Sequence, residues 1–141
     1  MMREIKFRAW IPQDKRMFQV GNLVIPKGLN ELGDQELGVA ETYSIIKPHH
    51  YIQPVLMQFT GLLDKPGKEI YEGDIVKLWN PDMKLVTEVG WDLKYHGWYF
   101  YHEGQRTANA YTGVSEFPLE VIGNIYESPH LLDNNSKSRN P

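Results

Sequence analysis

Four acidic side chains lie close together in the stretch TGLLDKPGKEIYEGDIVKLW, which runs from Thr60 to Trp79. They are Asp64, Glu69, Glu72 and Asp74. Two convergent carboxylates could carry out acid–base catalysis if their pKa values differ, or they could share a divalent cation. The same residues also suit turns between strands, so the stretch has a chemical and a structural interpretation.

Turn-forming residues surround these acids and favour the structural interpretation. Pro66 and Gly67 suit the two central positions of a type II turn, because Gly tolerates the positive φ that the second position requires. Glu72, Gly73 and Asp74 form a second turn before an apolar run. Gly73 can adopt a positive φ there, and the Asp carboxylate can accept backbone N–H groups as the strand begins. We therefore predict structural turns here, no catalytic residue, and a protein that is not an enzyme.

The histidines offer a second set of reactive side chains, namely His49, His50, His96, His102 and His130. The two adjacent histidines point to opposite sides of an extended chain, so they cannot chelate one ion together. The sequence contains no cysteine that could supply a thiolate ligand. We predict no metal site and no cofactor.

Aromatic side chains are better candidates for binding than the acids or the histidines. In the run WYFY, Trp98 and Phe100 face one side of a strand, and Tyr99 and Tyr101 face the other. One set would fill a core, whereas the other would line a groove that binds peptides or stacks nucleobases, unless it too is buried. The candidate binding residues are Trp91, Trp98, Tyr99 and Tyr101.

A basic segment at the N-terminus adds Arg3, Lys6 and Arg8 as weaker candidates for contact with phosphate or an acidic partner. The whole chain carries a formal net charge of −3. An acidic protein repels a phosphate backbone, so a solvated strand face is favoured over a nucleic-acid site. Binding of nucleic acid through this basic strand and the aromatics remains the alternative function.

Composition limits the class of protein. The chain has 141 residues, 41% of them hydrophobic, which suits one compact domain with an appendage. Its apolar runs are too short to span a bilayer, and no apolar signal segment follows the first residues. We expect no membrane partner, and the absence of cysteine fits a reducing cytoplasm.

Short alternating strands separated by turns predict an all-β fold. An N-terminal hairpin pairs residues 3–10 with residues 17–20, and residues 21–41 have no strand or helix period beyond NLVI. Further strands are expected near residues 55–59, 75–79, 85–92, 98–101 and 120–126, with a polar loop over 102–112. Their spacing is typical of a small closed barrel.

Three separated segments resemble the YopX family of phage and prophage proteins. They are MREIKFRAW with the following RMF, LMQFTGLLDKPGKEIYEGDIVKLW, and EVIGNIYESPHLL. The resemblance spans about residues 2–132 and implies an SH3-like barrel in the C-terminal part. It also implies a protein made in the cytoplasm of a bacterial host from a phage or prophage genome. It supplies no catalytic or ligand-binding residues.

These observations together predict a particular organisation and role. Residues 1–54 would form the hairpin and an irregular segment, residues 55–132 an SH3-like barrel on which that part packs, and residues 133–141 a disordered tail. We expect a phage accessory protein that acts as a non-enzymatic binding or self-assembling module. Its partner would be a host protein, a phage protein or a second copy of the chain.

Overall fold

A computed structural model describes residues 2–24, 38–41, 44–45, 54–80 and 83–133. His49, His50, most of the predicted 21–54 segment and the predicted tail after Asp133 lie outside the described residues. The chain divides into two compact units, an N-terminal unit of Ile5–Gln58 and a C-terminal unit of Phe59–Pro141 with Met1–Glu4.

The N-terminal unit is built on the predicted hairpin of β1 (Phe7–Ile11) and β2 (Arg16–Gln19). On its other side, β1 pairs with the first residues of β6 (Val55–Leu63), so that Ala9 lies opposite both Phe18 and Leu56. Three further strands, β3 (Asn22–Val24), β4 (Gly38–Glu41) and β5 (Ser44–Ile45), form a separate antiparallel sheet. The segment predicted to be irregular therefore contains strands, which its glycines and lack of alternation concealed.

The C-terminal unit contains a five-stranded antiparallel sheet in the order β11-β10-β9-β8-β12. Its strands are β8 (Asp74–Asn80), β9 (Met83–Asp92), β10 (Gly97–His102), β11 (Gln105–Asn109) and β12 (Leu119–Asn124). The last part of β6 pairs with β7 (Glu69–Tyr71) in the same unit. The antiparallel sheets, one of which curls into a half-barrel, confirm the all-β prediction.

The core of the C-terminal unit lies on the sheet face that carries the alternate residues of β8, β9 and β10. Its buried members are Ile70, Val76, Leu78, Val89, Phe100, Ala110, Leu119 and Val121. Helix α1 (Ala110–Glu116) packs its Gly113 directly against the Phe100 ring. A second short helix, α2 (His130–Asp133), follows Ser128 and Pro129.

The prediction of a polar loop over residues 102–112 is wrong, because β11 and the start of α1 lie within these residues. Strand β11 is polar since it is an edge strand with exposed side chains at Gln105, Arg106 and Thr107. Asn109 caps the helix, because its side-chain oxygen accepts hydrogen bonds from the N–H groups of Tyr111 and Thr112. The helices described here have seven and four residues, too short to cross a bilayer.

Gly73 adopts the positive φ that the sequence predicted for the second turn, with a value of 77°. Its N–H donates to the Val89 carbonyl at 2.8 Å, and its carbonyl accepts from Ile125 N–H at 2.9 Å. Gly73→Val should therefore destabilise the unit by about 1–3 kcal/mol, because a β-branched residue is strained at this φ. Urea unfolding would measure the loss, and Gly73→Asn, which tolerates positive φ better, should cost less. An equal loss in the two variants would contradict a backbone cause.

A candidate binding site on the aromatic hairpin

The buried acids of the Thr60–Trp79 stretch bind backbone groups rather than each other. One Asp64 oxygen accepts from Lys68 N–H at 2.7 Å, and the other accepts from Val121 N–H at 2.9 Å. The Asp74 carboxylate accepts from Tyr71 N–H at 2.8 Å. Gly67 has φ 97°, as the predicted type II turn requires. These carboxylates stabilise turns.

Metal-ligating side chains do not converge in the part of the chain that the structure describes. No group of three or more His, Asp or Glu side chains there could hold an ion. His102 instead uses Nδ1 for a hydrogen bond to the Val86 carbonyl at 3.1 Å. His96 lies exposed in the turn between β9 and β10 with φ 50°.

The β9–β10 hairpin separates its aromatic side chains between the two sheet faces, as the alternation predicted. Trp98 lies opposite Trp91 across the strands, and their rings meet edge to face with centroids 5.0 Å apart. Trp98 packs against the core, whereas Trp91 is 39% exposed. Tyr99 lies opposite Gly90 on the other face. We call residues 91–99, with Tyr101 and Arg106, the aromatic hairpin.

Tyr101 extends across the outer face of the sheet because the opposite strand has a glycine there. A Cβ on Gly90 would lie only 3.1 Å from Tyr101 Cε2, so the ring covers a position without a side chain. Its hydroxyl donates to Asp92 Oδ2 at 2.9 Å. The other Asp92 oxygen accepts from the N–H groups of Lys94 and Tyr95, which fixes the hairpin turn.

Arg106 joins the tyrosines into one cluster. Its guanidinium carbon lies 3.7 Å from the Tyr95 ring centroid and 5.2 Å from that of Tyr99. Its Nη1 donates to Asp92 Oδ2 at 3.2 Å. Such stacking restricts both the guanidinium and the rings, so the cluster is ordered before any partner arrives.

The electrostatics of the cluster follow from these contacts. Burial tends to raise the pKa of Asp92, but hydrogen bonds from Tyr95 N–H, Tyr101, Lys94 N–H and Arg106 together lower it below the usual value. Because the folded-state pKa is the lower one, Asp92 stabilises the fold above its unfolded pKa. That contribution is lost as pH falls through the folded-state pKa. The pKa of Tyr101 is raised, chiefly by burial and then by Asp92.

Replacing Arg106 by glutamine should raise the pKa of Tyr95. Hydrogen bonding to Arg106, followed by Lys94 and the guanidinium charge, holds that pKa below its ordinary value, because these groups favour the phenolate. NMR titration of ¹³Cζ-labelled tyrosine would follow the change. Tyr111, which is 72% exposed and outside the cluster, serves as the internal control. A Tyr95 pKa that stays the same in the variant would show that Arg106 does not stabilise the phenolate.

Exposed apolar surface concentrates at the tip of this hairpin. Trp91 is 39% exposed, Leu93 82% and Tyr95 48%. Three large apolar side chains within five residues of one turn are costly to leave in water, and ordered aromatic side chains are typical of binding hot spots. The tip therefore has the surface chemistry of a protein-binding site.

The predicted basic residues are less suited to contact a partner than the aromatic residues. Arg3 is exposed, but Lys6 is half-buried and Arg8 is only 8% exposed. Strand β1 is buried on both faces, so the solvated strand face predicted for its basic residues is not observed. Sequence reasoning missed Asp92, Leu93 and Arg106. Only Asp92, placed just before a turn, had a readable signal.

Comparisons with known proteins identify a family and a solved structure that this chain resembles. The sequence model of the YopX protein family matches residues 6–133. The crystal structure of protein EF1440 from Enterococcus faecalis has a similar fold, with a TM-score of 0.61 and 25% sequence identity. That similarity covers 93% of this chain and 99% of the other. No relative is found among curated proteins.

Proposed function

This chain belongs to the YopX family, and from that premise we propose that it is a phage or prophage accessory protein that binds another protein through the aromatic hairpin. It would act in the cytoplasm of a bacterial host, as a non-enzymatic module with an SH3-like barrel as its scaffold. The curled antiparallel sheet supports that description of the scaffold.

One observation carries the proposal, namely the ordered and exposed apolar tip of the hairpin. Arg106 stacks on Tyr95 at 3.7 Å, and Asp92 fixes the turn that presents Leu93. A partner that covered Trp91, Leu93 and Tyr95 would gain apolar burial, and the rings of Trp91 and Tyr95 are already held by Trp98 and Arg106. Tyr and Arg are also the residue types that contribute most at protein interfaces.

The acids of the Thr60–Trp79 stretch support a non-catalytic role. Asp64 and Asp74 accept hydrogen bonds from backbone N–H groups at 2.7–2.9 Å, so these carboxylates have a structural use. A nucleic-acid partner is less favoured, because Arg8 is buried and the chain is acidic. A protein partner, or a second copy of the chain, fits this surface better.

Affinity capture with matched variants would test the proposed surface. The purified chain, a Tyr95→Ser/Arg106→Ser variant and a Tyr111→Ser control would be immobilised and exposed to lysate from a bacterium that carries a YopX-family prophage. We expect the wild-type chain and the control to enrich the same protein at least tenfold over the double variant. Sedimentation velocity over a wide concentration range would detect self-association in the same three proteins.

Two results would overturn the proposal. Equal capture and equal sedimentation by all three proteins would show that binding does not use the aromatic hairpin. Capture that disappears after nuclease treatment, and that weakens steeply with salt, would identify nucleic acid as the partner. Melting temperatures of the variants would establish first that each is folded.

A further inference from the structure

A second surface, separate from the aromatic hairpin, surrounds Trp79. On strand β9, its cross-strand neighbour Lys84 lies eight residues from Asp92. That separation is about 27 Å at the usual rise per residue in a strand. Trp79 is 40% exposed, although it lies in a strand of the central sheet. This surface plays no part in the proposed function above.

Three lysines give the Trp79 surface a positive charge. The ammonium nitrogen of Lys77 lies 4.2 Å from the Trp79 ring centroid, and that of Lys84 lies 5.2 Å from it. Lys65 lies at the edge of the adjoining depression. Within the described residues, none of these three ammonium groups forms an ion pair. Glu120, which lies opposite Lys77 on β12, is the acidic side chain in that depression.

Two adjoining depressions extend from the indole ring. The first, of about 270 Å³, is lined by Lys65, Pro66, Trp79, Pro118, Leu119 and Glu120. The second, of about 330 Å³, shares Lys65, Pro118 and Leu119 with it and continues to Leu63, which is 48% exposed. Its lining also includes Asp64 and Glu116, so this depression suits an apolar side chain of the ligand rather than a carboxylate. Each can take one apolar side chain. Alternate side chains of an extended peptide lie about 7 Å apart on one face and could enter neighbouring depressions.

We propose that the groove lined by Lys65, Trp79 and Pro118, with Lys77 and Lys84 beside the indole ring, binds an extended acidic segment of a partner protein. Carboxylates of the segment pair with the three lysines, and its apolar side chains enter the two depressions. Single-stranded nucleic acid fits less well, because the ammonium groups already occupy the aromatic surface on which a base would stack.

A peptide of defined charge tests this assignment. Fluorescein-labelled Glu-Glu-Glu-Glu-Leu-Leu-Leu-Leu (the acidic peptide) presents glutamates and leucines on the same face when it is extended. It is titrated with the protein and followed by fluorescence anisotropy, with counterparts that carry Lys or Gln in place of Glu as probes of charge. We expect the acidic peptide to bind at least tenfold more tightly than either counterpart, and its affinity to fall at least threefold between 50 and 300 mM NaCl. Amide and indole shifts in ¹H–¹⁵N spectra should concentrate at Trp79, Leu119 and Glu120.

Matched variants connect the binding to the groove. Lys77→Gln/Lys84→Gln should weaken binding of the acidic peptide at least tenfold, whereas Lys15→Gln, an exposed change in the N-terminal hairpin, should leave it unchanged. Trp79→Leu provides an independent variant that keeps the charge and removes the ring. Equal binding of the acidic and basic peptides, tighter binding of an oligothymidylate of eight nucleotides, or shifts confined to another surface would each overturn the assignment.

Discussion

Asp64→Ala should destabilise the C-terminal unit by about 2–5 kcal/mol, because it leaves two backbone N–H groups without their acceptor. The Asp64 residue is 6% exposed, and its oxygens accept from Lys68 at 2.7 Å and from Val121 at 2.9 Å. The second bond joins residues 57 positions apart in the sequence. Urea unfolding followed by circular dichroism would measure the change.

Asp64→Asn distinguishes lost acceptors from lost volume. Asparagine keeps the shape and one acceptor oxygen, but its amide N–H₂ group faces the second backbone N–H, so an intermediate loss is expected. Glu116→Gln, an exposed change in the same unit, should alter stability by less than about 0.5 kcal/mol. A loss of that small size for Asp64→Ala would show that the two hydrogen bonds contribute little.

Gly113→Ala should also destabilise the unit, by about 1–3 kcal/mol, although alanine is the better helix former. A Cβ at this position would lie 2.4 Å from Phe100 Cε2. The ring cannot move away freely, since Phe100 is completely buried in the core. Thermal unfolding of the variant would test whether this contact outweighs the gain in helix propensity.

A double-mutant cycle identifies the cause of that loss. Phe100→Leu replaces the ring by a smaller side chain. Gly113→Ala should therefore cost at least about 1 kcal/mol less in that background than in the wild-type chain. Ser115→Ala, on the exposed side of α1, serves as the helix control and should change stability by less than about 0.5 kcal/mol. Additive losses in the cycle would contradict a steric origin.

The turns were the most predictable part of the fold, because turn conformations depend on local residue types. Gly67 and Gly73 have the expected positive φ, and Asp74 accepts a backbone N–H as anticipated. The second hydrogen bond of Asp64 could not be predicted in this way. It requires β12 to lie beside the Pro66–Gly67 turn, which is a property of the whole fold rather than of the local sequence.

Helix α1 illustrates where tertiary contacts override local preference. Its sequence AYTGVSE contains a glycine and two β-branched residues, which are poor helix formers. The helix forms because Asn109 caps it and because Ala110 and Gly113 are buried against the core. Neither the cap nor the fit against Phe100 can be recognised before the sheet has been placed.

The candidate site was predictable in part. The alternation of WYFY separated Trp98 from Tyr99 correctly, since side-chain direction in a strand has a period of two. Arg106 escaped prediction because its contact with Tyr95 depends on the pairing of β10 with β11, where the register shifts between Phe100 and Tyr101. A bulge of this kind redirects side chains in a way that no periodicity reveals.

The position of Asp64 also bears on solubility. Strand β12 ends the five-stranded sheet, and such a margin normally offers its free amides and carbonyls to a strand from another molecule. Here Lys65 N–H donates to the Leu119 carbonyl at 3.0 Å, and the Asp64 carboxylate accepts a hydrogen bond from Val121 N–H. The turn at Asp64 and Lys65 thus covers the free edge of the sheet. A variant without the Asp64 carboxylate would expose that edge and would be prone to intermolecular strand addition and aggregation.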